Sequence, residues 1–462
     1  MTDRSTIFAL SSGRPPAAIA VVRVSGPQAR LVLEKLIRRV PAPRQAALVR
    51  VREPGSGESI DEGLVLWFPA PRSETGEDMA ELQLHGGHAV IAAVLAALGK
   101  IDGCRLAQPG EFTRRAFESG KLDLTAVEGL GDLIAAETPA QRRQAFRQLK
   151  GLIGDRAEDW RKRLVESLAL VEARIDFSDE ADVPEDLVAP ATRIARGLRD
   201  EIAAVLADQH RGERLREGLV VAIAGPPNAG KSTLFNRLTR REAAIVSPYA
   251  GTTRDIIEVH LELHGYPVTL LDTAGIRDSA EPVEQEGMRR ARERAATADL
   301  VLWVTDVSAG ERTSNAAPPR AEGAPLWLIK NKIDLMPSRA PNHAEAAVDK
   351  TSNNSECKFI FSISAAQGEG LDAIALALSR FAADTFGGGE APLVTRARHR
   401  RSLEETVVAI DCALAETAAK DSREELIAEE LRRAATSLGR LTGRIDVEDV
   451  LDAIFRDFCI GK

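Results

Sequence analysis

The stretch LVVAIAGPPNAGKST, residues 219–233, constrains the fold more than any other part of the chain. A continuous apolar run ends at glycine, as a parallel strand buried on both faces does. It leads directly into G-x-x-x-x-G-K-[ST], from Gly225 to Ser232, and a helical pattern follows. The glycines of such a loop let backbone N–H groups turn inward around phosphate oxygens. Asn228, Ala229, Gly230, Lys231, Ser232 and Thr233 would line it, with Lys231 reaching the β- and γ-phosphates and the Ser232 hydroxyl ligating magnesium. The positive end of the following helix adds to the attraction. A tight turn that binds nothing is the plain alternative, and the strand before and helix after weigh against it.

Further apolar runs follow: VTLLDTAG, DLVLWVTD, PLWLIKNK and FIFSISA, separated by helical stretches. Strands alternating with helices predict a doubly wound sheet. Asp272 of DTAG would hold magnesium through water, and the N–H of Gly275, beyond Thr273 and Ala274, would sense the γ-phosphate. In NKID, the Asp334 carboxylate would accept two hydrogen bonds from guanine's ring N–H and exocyclic amine, a pair that adenine does not offer. Asn331 and Lys332 would brace loop and ring, and backbone N–H groups of Ser364 and Ala365 would meet the guanine carbonyl. In this chain order the motifs identify a GTPase domain rather than an ATPase. Ile276 stands where signalling GTPases carry the glutamine that orients water, so catalysis must draw on another group. Arg254 and Glu284 are the nearest candidates, although the residues alone read Glu284 as an exposed helix charge.

The remaining chain has room for more than this domain: 462 residues, 44% hydrophobic, 28% charged and only 4% aromatic. The cores must rest on Ala, Leu, Val and Ile. Residues 1–120 mix β-like runs (AIAVVRV, GLVLWF, AELQL) with helical ones and predict an α+β domain. Residues 121–215 and 381–462 are helical and flank the α/β segment 216–380, which predicts one helical domain interrupted by an inserted G domain. The net charge of −8 excludes a uniformly basic nucleic-acid-binding surface, though not a local patch. The N-terminus is not a signal peptide, and the apolar run AVIAAVLAALG at 89–99 is too short to span a bilayer. Cys104, Cys357, Cys412 and Cys459 are far apart with no CxxC pair, which fits a reducing cytoplasm.

Cys459 stands four residues from the end, in FRDFCIGK, where a prenylated cysteine would stand. A final Lys462 and a glycine at an aliphatic position argue against that chemistry. No cysteine is near in sequence for a disulfide, and no neighbouring ligands suggest a metal. An inert cysteine and a functional thiol both remain open; Lys462 and Arg456 would lower the thiol's pKa if the tail folded back.

AGPPNAGKSTLFN, SPYAGTTRD, DTAGIRDS, VEQEG and NKID, together with AIAVVRVSGP, AELQLHGG, QPGEFTRRAFESGKLDLTAVEGLGDLIAAET and the terminal FCIGK, resemble the bacterial tRNA-modification GTPases of the MnmE (TrmE) family. The resemblance covers essentially the whole chain, and the PGEFTRRAF…GKLDL stretch and the terminal cysteine are its most specific parts. It implies a homodimer, formed through the N-terminal domain, that acts in a heterotetramer with the FAD-dependent partner MnmG (GidA). Together they install an aminomethyl-type group on carbon 5 of the wobble uridine of tRNA. The one-carbon unit comes from 5,10-methylene- or 5-formyl-tetrahydrofolate. By resemblance, Arg23, Glu81 and Lys121, with Lys462, hold the folate. Asn228 with Thr252 and the carbonyls of Ser247 and Tyr249 holds a potassium ion that acts where an arginine finger would, as G domains pair. Thr253 resembles the second magnesium ligand, Glu284 the switch glutamate that positions water, and Cys459 a thiol that takes part in the uracil chemistry. Pro226 and Tyr249 depart from the family's usual residues without touching the core chemistry.

A ribosome-assembly or regulatory GTPase that only binds RNA is the competing reading, and a folate-binding dimer switch a third. The basic clusters TRARHRR at 395–401 and QRRQAFRQLK at 141–150 could touch tRNA phosphates, although solvated helix faces are the more ordinary explanation.

Overall fold

The computed structural model describes residues 5–177, 186–208, 210–241, 258–272, 298–309, 324–336, 357–387, 392–419, 423–445, 451, 454–455, 458 and 460–461. The chain divides into two compact units, one of residues 1–131, 148–200 and 402–462, the other of 132–147 and 201–401. The architecture is multidomain: an α+β N-terminal part, helices on both sides of an insertion, and an inserted α/β sheet domain. The helices are α1 (Ala29–Ile37), α2 (His88–Gly99), α3 (Glu111–Glu118), α4 (Leu124–Ala135), α5 (Pro139–Leu149), α6 (Gly154–Asp176), α7 (Val188–Leu206), α8 (Arg211–Glu217), α9 (Lys231–Arg241), α10 (Leu371–Phe386), α11 (Ala397–Thr417) and α12 (Glu424–Thr442).

The first unit begins with strands β1 (Thr6–Leu10), β2 (Ala17–Ser25), β3 (Ala47–Arg52), β4 (Ser59–Phe68), β5 (Met79–Gly86) and β6 (Cys104–Leu106) in the order β3-β4-β5-β2-β1-β6. The pairs are antiparallel except β1–β6. Alternation along β2 and β5 turns Val22, Val24, Ala80 and Leu82 into one core with Val32, Leu33 and Leu36 of α1 and Val94 and Leu98 of α2. The residues that alternate with these, Arg23 and Glu81 among them, stand on the opposite face. β3 escapes the sequence reading because its alternation, ALVRVR, sets Arg50 and Arg52 among its apolar residues; a charged edge strand blocks further pairing. In the helical part, α6 and α12 pair along their lengths. Trp160, Leu164 and Val171 are buried on α6, and Leu431, Ala434 and Leu438 on α12. The C-terminal Leu451 and Phe455 join a core with Leu124 and Val127, and Ile460 forms a β-bridge with Pro109. Among the described residues, no helix is long and apolar enough to cross a membrane.

The second unit holds β7 (Leu219–Ala224), β8 (Glu258–Leu263), β9 (Tyr266–Asp272), β10 (Leu300–Asp306), β11 (Leu326–Asn331) and β12 (Cys357–Ser362) in the order β12-β11-β10-β7-β9-β8. All pairs are parallel except β8–β9, so the doubly wound sheet carries one antiparallel edge strand. Trp327 is fully buried, with ring centroids of Phe359, Phe361 and Phe381 at 5.2, 5.6 and 5.8 Å. The unit extends beyond the α/β segment. In its helical margin the side-chain amide of Gln141 donates to the Arg216 carbonyl at 3.0 Å, and that of Gln144 to the Pro392 carbonyl at 2.8 Å.

Candidate functional site

In a parallel sheet the carboxyl ends of the strands share one edge, and the sequence motifs stand there. β7 ends at Ala224 and opens into the phosphate loop; β9 ends at Asp272; β11 ends at Asn331; Ser364 and Ala365 follow β12. The loop's backbone requires its glycines. Gly225 has φ +144°, and a Cβ there would lie 2.2 Å from the Val304 carbonyl oxygen of β10. At Gly230, φ +93°, a Cβ would lie 2.3 Å from the Asn331 side-chain nitrogen. Asn228 takes the left-handed conformation, φ 61°, one that asparagine tolerates better than most residues, and its side chain is exposed. Ala229 is buried; Ser232 and Thr233, in the first turn of α9, are exposed.

Lys231 folds back over its own loop. Its Nζ donates to the carbonyls of Gly225 at 2.9 Å and Pro226 at 2.8 Å. Partial burial pushes its pKa below the usual lysine value, against the pull of the Asp272 carboxylate. Asp272 is 2% exposed at the end of β9. The donor set fits a polyphosphate with a divalent ion: turned N–H groups, a desolvated cation, a helix start with two hydroxyls, and a nearby carboxylate.

Asn331 ties the phosphate loop to the loop that follows β12. Its Nδ2 donates to the Ala229 carbonyl at 2.8 Å, and its Oδ1 accepts the Ala365 N–H at 2.9 Å. The sequence reading sent the Ser364 and Ala365 N–H groups to guanine. In the structure Ser364 donates its N–H to the Glu369 carbonyl at 3.1 Å, and Ser364 and Ala365 are both buried. Lys332, φ 68°, bonds Asp306 Oδ2 at 2.5 Å. The hydrogen bond from Lys332, helped by Ser308, holds the Asp306 carboxyl below the usual aspartate range. The sequence reading missed Asp306, the residue that closes DLVLWVTD; β10–β11 register pairs it with Asn331. Asp334 lies exposed in the turn after β11, Ile333–Leu335.

A second charged cluster lies in the first unit. β2 and β5 pair Arg23 with Glu81 across the ladder. The Arg23 guanidinium donates to Glu81 Oε1 at 3.1 and 2.8 Å, meets Glu74 at 2.7 Å, and lies 5.7 Å from the Phe112 ring centre. Side chains of Arg23 and Glu81 are 16% and 17% exposed, so neither is the ordinary surface charge that each resembles in isolation. Beside them, Arg115, 7% exposed, bonds Glu77 and Glu111 at 3.0 Å each. Burial pushes the Glu111 carboxyl up, yet hydrogen bonds from Arg105, Gln108 and Arg115 leave it below the usual range. Lys121 is exposed, and its Cε approaches the 74–77 loop at Gly76. Glu74, Glu77 and Arg115 were not singled out in sequence. The Glu111–Arg115 spacing of four on one helix face was the legible trace of Arg115 alone.

Glu284, Arg254, Ser247, Tyr249, Thr252, Thr253, Thr273, Ala274, Gly275, Cys459 and Lys462 lie outside the described residues.

Family models agree with this layout. One described as the GTP-binding protein TrmE N-terminus matches residues 6–121, and one described as the MnmE helical domain matches 124–459. A curated tRNA modification GTPase MnmE of Rhodopseudomonas palustris strain BisB18 is 57% identical over 99% of both chains. The chain belongs to the MnmE family of tRNA modification GTPases. A relative of that name from Bradyrhizobium sp. strain ORS 278 is 56% identical over 99% of both chains, and one from Azorhizobium caulinodans is 52% identical over the same shares. Among solved structures, the FeoB G-domain from Methanococcus jannaschii is 29% identical, with a TM-score of 0.24, over 35% of this chain and 96% of its own.

Proposed function

We propose that this chain binds and hydrolyses GTP and, with the flavin-dependent partner MnmG, modifies carbon 5 of the wobble uridine in tRNA. The observation that carries the reading is Asn331, which joins the phosphate loop at Ala229 to the base-reading turn at Ala365. A guanine nucleotide would therefore be gripped at both ends by one rigid piece. Lys231 would exchange its two carbonyl partners for phosphate oxygens, Asp334 would select guanine, and Lys332, aimed by Asp306, would cover the ring. Ser232 and Thr253 would hold magnesium, which neutralises phosphate charge. Glu284 would orient water in place of the glutamine absent at Ile276, with Arg254 the further candidate for the hydrolytic step.

Asn228, Ser247, Tyr249 and Thr252 would hold a potassium ion, which supplies positive charge to the hydrolytic site of paired G domains. Turnover is expected to be at least tenfold faster in potassium than in sodium, a gain within the range of transition-state electrostatics. Equal rates in the two salts, measured by phosphate release, would remove the Asn228 assignment.

In the first unit, Arg23, Glu81, Lys121 and Lys462 would hold a tetrahydrofolate that supplies the one-carbon unit. The residues fit: cations suit the glutamate carboxylates of a folate, and a carboxylate suits the N–H edge of its ring. We place the active form in the cytoplasm as a homodimer, paired with MnmG. Cys459 would serve the modification step rather than hydrolysis. Cys459→Ser is expected to keep the wild-type GTPase rate while tRNA stays unmodified in cells; normally modified tRNA in that variant would retire the thiol.

The test of the whole reading is nucleoside mass spectrometry of bulk tRNA from cells lacking this protein, with and without the gene restored. Loss of the carbon-5-modified uridine, recovered on complementation, is the expected result. Unchanged tRNA would overturn it and favour a GTPase that only binds RNA.

A further inference from the structure

The two basic clusters of the sequence have opposite fates within the second unit. The cluster at 395–401 is largely neutralised from inside. Arg396 bonds Asp132 at 2.6 Å, Arg400 bonds Asp208 at 2.8 Å and Glu213 at 3.2 Å, and His399 is fully buried. These side chains fasten the helical margin and offer little charge to a partner.

The cluster on α5 does not follow that pattern. Ala140, Gln144 and Ala145 are buried. The Ala140 N–H donates to the Gly265 carbonyl at 3.1 Å and the Gln144 side chain to Pro392 at 2.8 Å. With that face fixed inward, Arg142, Arg143, Phe146 and Arg147 are left exposed, and they span about 140° of the helix surface at 3.6 residues per turn. Arg142, Arg143 and Arg147 form no ion pair among the described residues, and α5, PAQRRQAFRQL, contains no acidic residue. Phe146, between them, is 50% exposed. On a chain of net charge −8, three unneutralised guanidiniums around an exposed ring are a local exception.

We propose that this face of α5 is a docking surface for the phosphate backbone of tRNA. Charge complementarity selects the occupant. Guanidinium forks match phosphate oxygens, and an exposed ring among them suits an unstacked base of a single-stranded loop. The surface carries no base-reading set of side chains, so it positions tRNA rather than choosing it. The proposal rests on the tRNA-modification reading above.

The test is binding of an in vitro transcribed tRNA to the full chain, measured by fluorescence anisotropy across a salt series. Arg142→Gln/Arg143→Gln/Arg147→Gln is expected to flatten the slope of log affinity against log salt by about 2–3 and to weaken binding on the order of 10²-fold at 0.1 M salt. Basal GTP hydrolysis without tRNA is expected to stay unchanged. Arg193→Gln/Arg196→Gln, two exposed arginines of the other unit, is the control for overall charge. Equal losses in triple variant and control would overturn the proposal, because the effect would then be one of net charge. Tight wild-type binding with an unchanged triple variant would also overturn it while sparing the tRNA reading; if that variant nonetheless failed to modify tRNA in cells, the face would belong to a protein partner. No wild-type binding would remove both.

Discussion

Lys231→Ala is expected to lower GTP hydrolysis at saturating nucleotide by about 10²–10³-fold, the loss seen when one preorganised charge-stabilising donor is removed from a transition state. The ammonium already lies over the loop, held by the Gly225 and Pro226 carbonyls at 2.9 and 2.8 Å, and burial has lowered its pKa. It has thus given up part of its water before any phosphate arrives, and little reorganisation is left for binding to drive. Removing it frees the Gly225 carbonyl, while the Pro226 carbonyl still accepts the Ala229 N–H at 3.4 Å, so the loop itself should persist. Melting temperature should change little, whereas single-turnover hydrolysis and GTP affinity should both fall. A Lys231→Ala protein that hydrolyses within a factor of three of wild type would show that another cation faces the γ-phosphate. Lys231→Arg would test geometry rather than charge: the planar fork is too wide to sit between two loop carbonyls 2.8–2.9 Å away and should restore little of the rate.

The second unit was the more legible in sequence because its chemistry is local. A phosphate loop needs Gly225, Gly230 and Lys231 within a few residues, and strands buried on both faces read as unbroken apolar runs. β8 was missed: EVHLEL alternates, as an antiparallel edge strand does, and resembles no buried parallel strand. Asp306 was missed because its role comes from strand register, which sets it beside Asn331 at a separation of 25 residues. In the first unit, Arg23 and Glu81 each read alone as surface charges. Only the β2–β5 ladder makes them a half-buried pair, and nothing in their spacing announces it. The Arg23–Glu74 contact likewise depends on the 74–77 loop returning to β2. The basic clusters show the limit from the other side. TRARHRR and QRRQAFRQLK look equivalent in composition, and what separates them is Asp132, Asp208 and Glu213, which the fold brings to one and not to the other.

Gly225→Ala is expected to have the largest effect on stability among single changes at the nucleotide site. The residue closes β7 and turns the chain into the phosphate loop at φ +144°, a conformation that residues with a Cβ rarely adopt. An alanine Cβ would also lie 2.2 Å from the Val304 carbonyl oxygen and 3.1 Å from its carbon, which are backbone atoms of the neighbouring central strand. Neither can withdraw without disturbing the β10–β7 ladder, where Trp303 pairs with Ala224. Backbone strain of about 1–3 kcal/mol and overpacking of similar size add to roughly 2–6 kcal/mol. In a unit of this size that corresponds to a fall in the melting temperature of roughly 4–24 °C. Pro227→Ala, at an exposed position of the same loop, should stay within about 0.5 kcal/mol and serves as the control. The two measurements together separate stability from chemistry. If Gly225→Ala melts normally yet binds no nucleotide, the loop alone has been displaced and β10 has yielded without cost. If it melts as low as expected, the phosphate loop is held open by the sheet beneath it, and its shape belongs to the fold before any nucleotide binds.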